Sequence, residues 1–189
     1  MRRERALTLS PIAVAIAAVL ALGVEGVAQT PANRDATAIA DYQKRVAAYV
    51  ELHNKVADSL PPLKGTDDSV EIATREVALA GAIRAARAKA RRGDIFASEP
   101  ARVFRRVLKA DFRSRSRAER FVLLDEIPNF RPRVNQTYPS IWPLATFPAS
   151  LLELMPALPE VLEYRLLSES LILRDVKANI VVDFMLDVY

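Results

Sequence analysis

The residue types that carry most protein chemistry are sparse in this chain. His53 is its only histidine, and it has no cysteine. An imidazole can act as a general base or a metal ligand. A zinc site, however, draws three or four ligands largely from histidine and cysteine, and one histidine does not supply them. His53 also falls between Tyr49 and Val56 in an apolar repeat, where it reads as a half-buried seam residue. No G-x-S-x-G sets a serine on an exposed turn for a Ser-His-Asp arrangement. With 5 glycines in all, there is no phosphate-cradling loop. Carboxylates remain: Asp67-Asp68 and Asp125-Glu126 are adjacent pairs, and Asp175, Asp183 and Asp187 stand near the end. An acid/base pair needs nothing else. Yet Asp67-Asp68 reads as a helix cap, Asp125-Glu126 as the end of an amphipathic helix, and Asp175 as the close of a strand. The sequence therefore offers no catalytic residue, no metal site and no cofactor.

Positive charge is the other candidate. Arg102, Arg105, Arg106 and Lys109 share one arc of a helix, which advances about 100° per residue; Val103, Phe104, Val107 and Leu108 lie opposite. Arg113, Arg115 and Arg117 alternate with serine just beyond. Residues 84–133 hold 15 Lys and Arg against 6 Asp and Glu, whereas residues 138–189 hold 3 against 7. A basic middle with an acidic tail reads as internal complementarity or as an anionic partner. On the second reading the seven cations named here form an anion-binding surface; on the first they are a solvated helix face and an arginine loop.

The compartment narrows the partner. Arg2, Arg3 and Arg5 give a positive start, residues 6–24 are uncharged with an apolar heart at 12–22, and Gly26 and Ala28 are the small residues before a cut at Gln29. That order matches a secretory signal peptide, residues 1–28. The alternative is a retained anchor, but Thr8, Ser10 and Pro11 spoil its first half. Without cysteine the exported product is neither lipid-anchored nor disulfide-bonded. It is expected in the periplasm or outside the cell, with no transmembrane helix after cleavage. The partner is then an anionic envelope component or another protein. Nucleic acid is not expected, and the basic segment lacks interleaved aromatics for stacking bases.

Several elements must position these residues. Ile39, Tyr42, Val46, Tyr49, His53, Val56 and Leu60 alternate 3 and 4 apart, the seam of closely packed helices. Pro61-Pro62 stop that helix. Asp67, Asp68 or Ser69 caps a second one, with Ile72, Leu79, Ile83, Ala86 and Ala90 along its seam and Gly93 just past its end. Residues 33–92 thus form an antiparallel helical hairpin, whose seam is also a candidate homodimer contact. A third helix opens at Ser98-Glu99-Pro100, and a short one spans 116–126. Residues 128–159, with seven prolines, are expected to be extended apart from a short helix at 149–154. Runs at 162–167, 171–175 and 180–185, separated by polar turns, make a three-stranded antiparallel meander. The expectation is one α+β domain over residues 29–189, with the basic segment at 98–126 and the meander at 160–189. An alternative site, for a small molecule or a hydrolytic reaction, would lie where the proline-rich segment crosses the sheet, near Tyr138, Trp142 and Tyr164.

Leu158-Pro159-Glu160, Leu162-Glu163-Tyr164-Arg165, Leu171-Ile172-Leu173-Arg174-Asp175 and Ala178-Asn179-Ile180-Val181-Val182-Asp183-Phe184 resemble the end of a group of uncharacterised exported bacterial proteins. Leu60-Pro61-Pro62-Leu63-Lys64, Thr66-Asp67-Asp68 and Arg92-Gly93-Asp94-Ile95-Phe96 are similar to that group as well. The resemblance implies a bacterial exported protein and no particular activity. More distantly, Tyr164-Arg165 followed by the L-x-L-x-D and I-V-x-D patterns resembles the closing hairpin of small periplasmic proteins implicated in metal homeostasis. The histidines favoured by a metal role are missing here, and no residue is carried over as functional.

Overall fold

The computed structural model describes residues 30–62, 65–125, 131–139, 147–167 and 169–189. The segment expected to be a signal peptide, Glu126, Trp142 and much of the proline-rich stretch lie outside them. From Pro31 on, the chain forms one compact unit. Its elements run α1 (Pro31–Asp58), α2 (Ser69–Ala86), α3 (Ser98–Ser114), α4 (Arg117–Asp125), α5 (Ala149–Leu152), then β1 (Leu162–Leu167), β2 (Ser170–Asp175) and β3 (Ile180–Leu186). The class is α+β, with a helical hairpin first and an antiparallel β1-β2-β3 meander last.

The α1 repeat becomes its buried stripe, Ala38, Tyr42, Val46, Tyr49 and His53. This stripe packs into the same core as Leu79 and Ile83 of α2, Phe104 and Leu108 of α3, and one face of the sheet. The centre of the seam is therefore packed inside the chain, with Ile39, Val56 and Leu60 partly buried at its ends. At the end of α1 the Arg75 guanidinium donates to Ala57 O and Pro61 O, both at 2.8 Å. A cation there complements the helix dipole and satisfies terminal carbonyls. Asp68 is the N-cap of α2, accepting from Val70 N at 2.8 Å.

Helix α2 stops earlier than its periodicity predicts. Arg87 O, the acceptor Arg91 N–H would need in a continued helix, takes Asn135 Nδ2–H at 3.0 Å. Arg91 N turns to Asp94 Oδ2 at 2.8 Å instead. Ala86 is left exposed and Ala90 half-buried, and Ile72 also faces solvent, so the lower and upper ends of the expected seam do not pack. Gly93 does take the left-handed conformation (φ +91°), but in a loop rather than at a helix end. Helix α3 starts after Ala97 without a side-chain cap, so Ser98 is its first residue rather than its cap. Helix α4 opens with a reciprocal box: Glu119 N–H donates to Ser116 Oγ at 3.2 Å and Ser116 N–H to Glu119 Oε2 at 2.7 Å.

The meander has a bulge. Leu173 pairs with Asp183 but Arg174 pairs with Val181, so Val182 is the extra residue. A bulge puts two consecutive residues on one face. Val182 and Asp183 thus both turn to the helices, while Val181 and Phe184 join a second, smaller core on the far face with Tyr138, Leu167 and Ile172. Residues 135–138 cover the outer edge of β3: Asn135 N–H donates to Val181 O, Val181 N–H to Gln136 O, and Tyr138 N–H to Asn179 O, each at 2.8 Å. Covering an edge in this way removes a template for unwanted strand pairing.

Candidate functional site

Two groups of residues could carry function: the cations anticipated from sequence and a set of buried polar side chains that sequence left unassigned. The cations divide by what they touch. Arg102 pairs with Glu99 one turn away, and Arg106 with Asp35 of α1. Arg105 Nε–H donates to Leu186 O at 3.0 Å, fastening α3 to the end of β3. Arg115 chelates Asp111 (2.6 and 3.2 Å) and donates to Ser150 Oγ at 2.9 Å. Lys109, Arg113 and Arg117 have no carboxylate within ion-pair reach among the described residues, and Arg120 continues them on α4. Arg113, Arg117 and Arg120 are exposed, and Lys109 is half-buried. The expected single arginine surface is thus parted: Arg102, Arg105, Arg106 and Arg115 are tied to the protein, whereas Arg113 and Arg117 face water.

Among the described residues, no ion pair joins the basic middle to the acidic tail. Besides Arg115 on the Ser150 hydroxyl, the arginines of the middle that reach the tail donate to backbone carbonyls. Arg87 Nη2–H meets Val182 O at 3.0 Å, and Arg105 meets Leu186 O. The tail keeps its own pairs, with Glu163 taking Arg165 and Arg174, each at 2.6 Å. Hydrogen bonds from both guanidiniums hold the Glu163 carboxyl below its usual range, against the burial that raises it.

The buried set centres on Asp175 and Asp183, both inaccessible to solvent. Asp175 closes β2, as expected, and its Oδ1 accepts Lys177 N–H (2.9 Å) and Ala178 N–H (2.8 Å) in the following turn. Its Oδ2 accepts Tyr49 O–H and meets His53 Nδ1, both at 2.6 Å. Burial raises this carboxyl, but the bonds from His53, Tyr49 and Ala178 outweigh burial and hold it below the ordinary range. Asp175 is therefore ionised, and His53 Nδ1 carries the hydrogen between them. Burial and the neighbouring Asp175 charge push the Tyr49 hydroxyl far up, so it stays a donor. The Arg87 guanidinium lies 5.0 Å from the centre of the Tyr49 ring.

A histidine oriented by a buried aspartate is half of a hydrolase triad. The other half is missing: no described hydroxyl hydrogen-bonds the second ring nitrogen, and the imidazole side chain is only 5 % exposed. The described residues contain no group of three His, Cys, Asp or Glu side chains placed to hold a metal ion. The geometry suits fastening α1 to the sheet better than turnover.

Asp183 does the same for the loop after α2. Its Oδ2 accepts Ile95 N–H and Phe96 N–H, both at 2.8 Å, and its Oδ1 accepts Gly93 N–H at 2.9 Å. Burial nonetheless pushes its carboxyl above the usual range, against those backbone bonds. Asn135, at φ 63°, is a third anchor. It exchanges hydrogen bonds with Arg87, accepting Nη1–H at 2.8 Å and returning Nδ2–H to Arg87 O. Its own carbonyl accepts Arg84 Nε–H at 2.8 Å. The segments Arg92-Gly93-Asp94-Ile95-Phe96 and Ala178 to Phe184, remote in sequence, thus meet through one carboxylate.

Of the residues anticipated around a pocket near Tyr138, Trp142 and Tyr164, the two described tyrosines do not come together. Tyr138 lies in the far-face core beneath the Arg174 guanidinium, 4.8 Å from its ring centre. Tyr164 lies on the helix side, bonded to Tyr42 O–H and Pro156 O at 3.0 Å. The sheet separates the two, and Trp142 is outside the described residues. A groove of about 440 Å³ at the end of α2 is lined by alanines with Arg87, Lys89 and Asp94. No family model matches the chain, and no curated protein or solved structure is similar to it.

Proposed function

We propose that this is an exported, non-enzymatic binding module of the bacterial cell envelope, which docks on an anionic partner through the second half of its basic surface. The observation that carries the reading is the run Lys109, Arg113, Arg117 and Arg120. These cations sit on neighbouring turns of α3 and α4 with no carboxylate partner among the described residues, while Arg102, Arg106 and Arg115 nearby have one each. Cations left without partners in a chain that pairs their neighbours offer charge to something outside. Export is supported by the order of charge, apolar run and small residues at the N-terminus, and by the resemblance to exported bacterial proteins. The buried polar groups are better matched to holding the fold together, and no described residue completes a catalytic set around His53.

The test is binding of the exported protein to dextran sulfate, titrated across salt. Charges exposed to water are screened over about 10 Å at 0.1 M salt, so binding should be released steeply as salt rises. Each cation near an anionic surface contributes about 1 kcal/mol. Replacing Arg113, Arg117 and Arg120 by glutamine should then weaken binding roughly a hundredfold, whereas Arg102→Gln, which only frees Glu99, should change it little. No binding at low salt sinks the proposal.

A further inference from the structure

The water-facing cations do not stand alone. Phe121 and Val122 of α4 are 68 % and 60 % exposed, and Leu152 and Leu154 beside α5 are 55 % and 58 % exposed. On α4 the inward direction is marked by Leu123, which joins the main core. At about 100° per residue, Phe121 then points nearly opposite, directly outward, with Arg117 one turn before it on the same side. The helix therefore presents an aromatic ring and a guanidinium together to solvent. Helix α5 is tied to the same region, because Arg115 Nη2–H, at the end of α3, donates to Ser150 Oγ at 2.9 Å. Glu119 is turned back into its capping box, where bonds from Ser116 hold its carboxyl low.

A large apolar side chain fully in water is common singly. A set gathered with unpaired cations is the composition of a surface that sits in a lipid interface. There the apolar groups enter the headgroup–acyl boundary, and the arginines, with long stems and charged heads, meet the phosphates. A soluble polyanion would use the cations and leave Phe121 and Val122 in water; an apolar protein groove would cover the rings and desolvate the arginines. An anionic bilayer satisfies both groups at once. No described helix is long and apolar enough to cross a membrane, so the contact would be peripheral.

We infer that the anionic partner is a lipid surface, and that α4, with the Leu152–Leu154 turn beside it, is the part that enters the interface. This rests on the anion-binding reading above and names its partner. The experiment is co-sedimentation of the exported protein with vesicles of phosphatidylglycerol and phosphatidylcholine, with pure phosphatidylcholine vesicles and dextran sulfate in parallel. Circular dichroism confirms that each variant is folded. Binding to the anionic vesicles is expected, at least tenfold stronger than to the neutral ones. The double variant Phe121→Ser with Val122→Ser should lose at least fivefold on vesicles and nothing on dextran sulfate. Both residues face solvent, so their replacement should leave the fold intact. In Phe121→Trp, brominated lipid should quench emission beyond the background of Trp142.

Dextran sulfate binding without vesicle binding would overturn the lipid inference and leave the anion reading standing. So would vesicle binding indifferent to the Phe121 and Val122 changes. Equal binding to neutral vesicles would remove the cations from the account and overturn it as well. Failure to bind either probe would end both readings.

Discussion

Replacing Asp183 by alanine removes the only acceptor that three backbone N–H groups of the 93–96 loop have found. Two of them belong to Ile95 and Phe96, which are 4 % and 3 % exposed and cannot turn to water without opening the core. Leaving a buried donor unsatisfied costs about 1–3 kcal/mol. Two such donors, with Gly93 partly compensated by solvent, give roughly 2–6 kcal/mol, against a total stability of about 5–15 kcal/mol for a domain. Asp183→Asn behaves differently. Its amide oxygen can stay on Ile95 and Phe96 and give up the bonds that Oδ1 takes from Gly93 and Phe184 N–H, and it avoids burying a charge. Because burial holds the Asp183 carboxyl above the usual range, the neutral isostere should cost no more than about 2 kcal/mol. Urea unfolding followed by circular dichroism measures both, with the midpoint converted through a slope of about 1–3 kcal/mol/M. An alanine variant within about 1 kcal/mol of the parent would show that the carboxylate does not fasten the loop. An asparagine variant as unstable as the alanine one would show that the negative charge itself is required, contrary to the upward shift.

The pH profile should carry the signature of Asp175. Its folded-state pKa is depressed, so its contribution is complete above the unfolded carboxylate value of about 3.9. That contribution is lost as pH falls through the folded value, and Asp175→Asn should flatten the acid limb of stability against pH. Asp183, shifted upward, works with the opposite sign: its contribution is present in acid and lost as pH rises through its folded value. Asn135→Ala removes the Arg87 exchange and places a Cβ-bearing residue without a local hydrogen bond at φ 63°. It should cost about 2–4 kcal/mol by thermal unfolding, and Asn135→Gly should recover the backbone part only. Phe104 is 2 % exposed and touches the rings of Tyr42, Phe96 and Tyr164. Phe104→Ala should lose about 3–5 kcal/mol; a loss under about 1 kcal/mol would mean that the three-ring contact is not the centre of the core.

Local patterns carried most of the architecture. The seam of α1 is legible because its apolar spacing outlasts any single contact, and the three strands because branched residues alternate with short polar turns. The end of α2 was not legible. Helix periodicity continues through Ala86 and Ala90, but the chain leaves the helix at Arg87, whose carbonyl accepts Ala90 N–H in a turn and Asn135 Nδ2–H from some fifty residues later. The bulge at Val182 left no mark in composition, so Asp183 could not be assigned to a face. Its four-residue partner loop, with Gly93 inside it, reads as an ordinary helix stop. His53 was correctly placed on the packed side of its helix. Its partner Asp175 lies far along the chain, and only the coincidence of two unexplained buried-type polar residues, one in a seam and one ending a strand, could have suggested the pair.

The long-range polar contacts bear on how the charge asymmetry should be understood. A basic middle and an acidic tail could have neutralised each other through ion pairs, and the field outside would then be weak. The protein instead joins these regions by mixed contacts: Arg87 and Arg105 meet backbone carbonyls, Arg115 meets the Ser150 hydroxyl, and Asp183 meets backbone N–H groups. Such bonds satisfy buried backbone polarity and fix geometry, but they cancel no opposite side-chain charge. Within the tail, Glu163 pairs with both Arg165 and Arg174. The excess of the middle therefore survives folding and is concentrated where α3 gives way to α4, next to the exposed ring of Phe121. Charge that folding leaves unneutralised beside an apolar group that folding leaves uncovered is most simply accounted for by one surface that meets both.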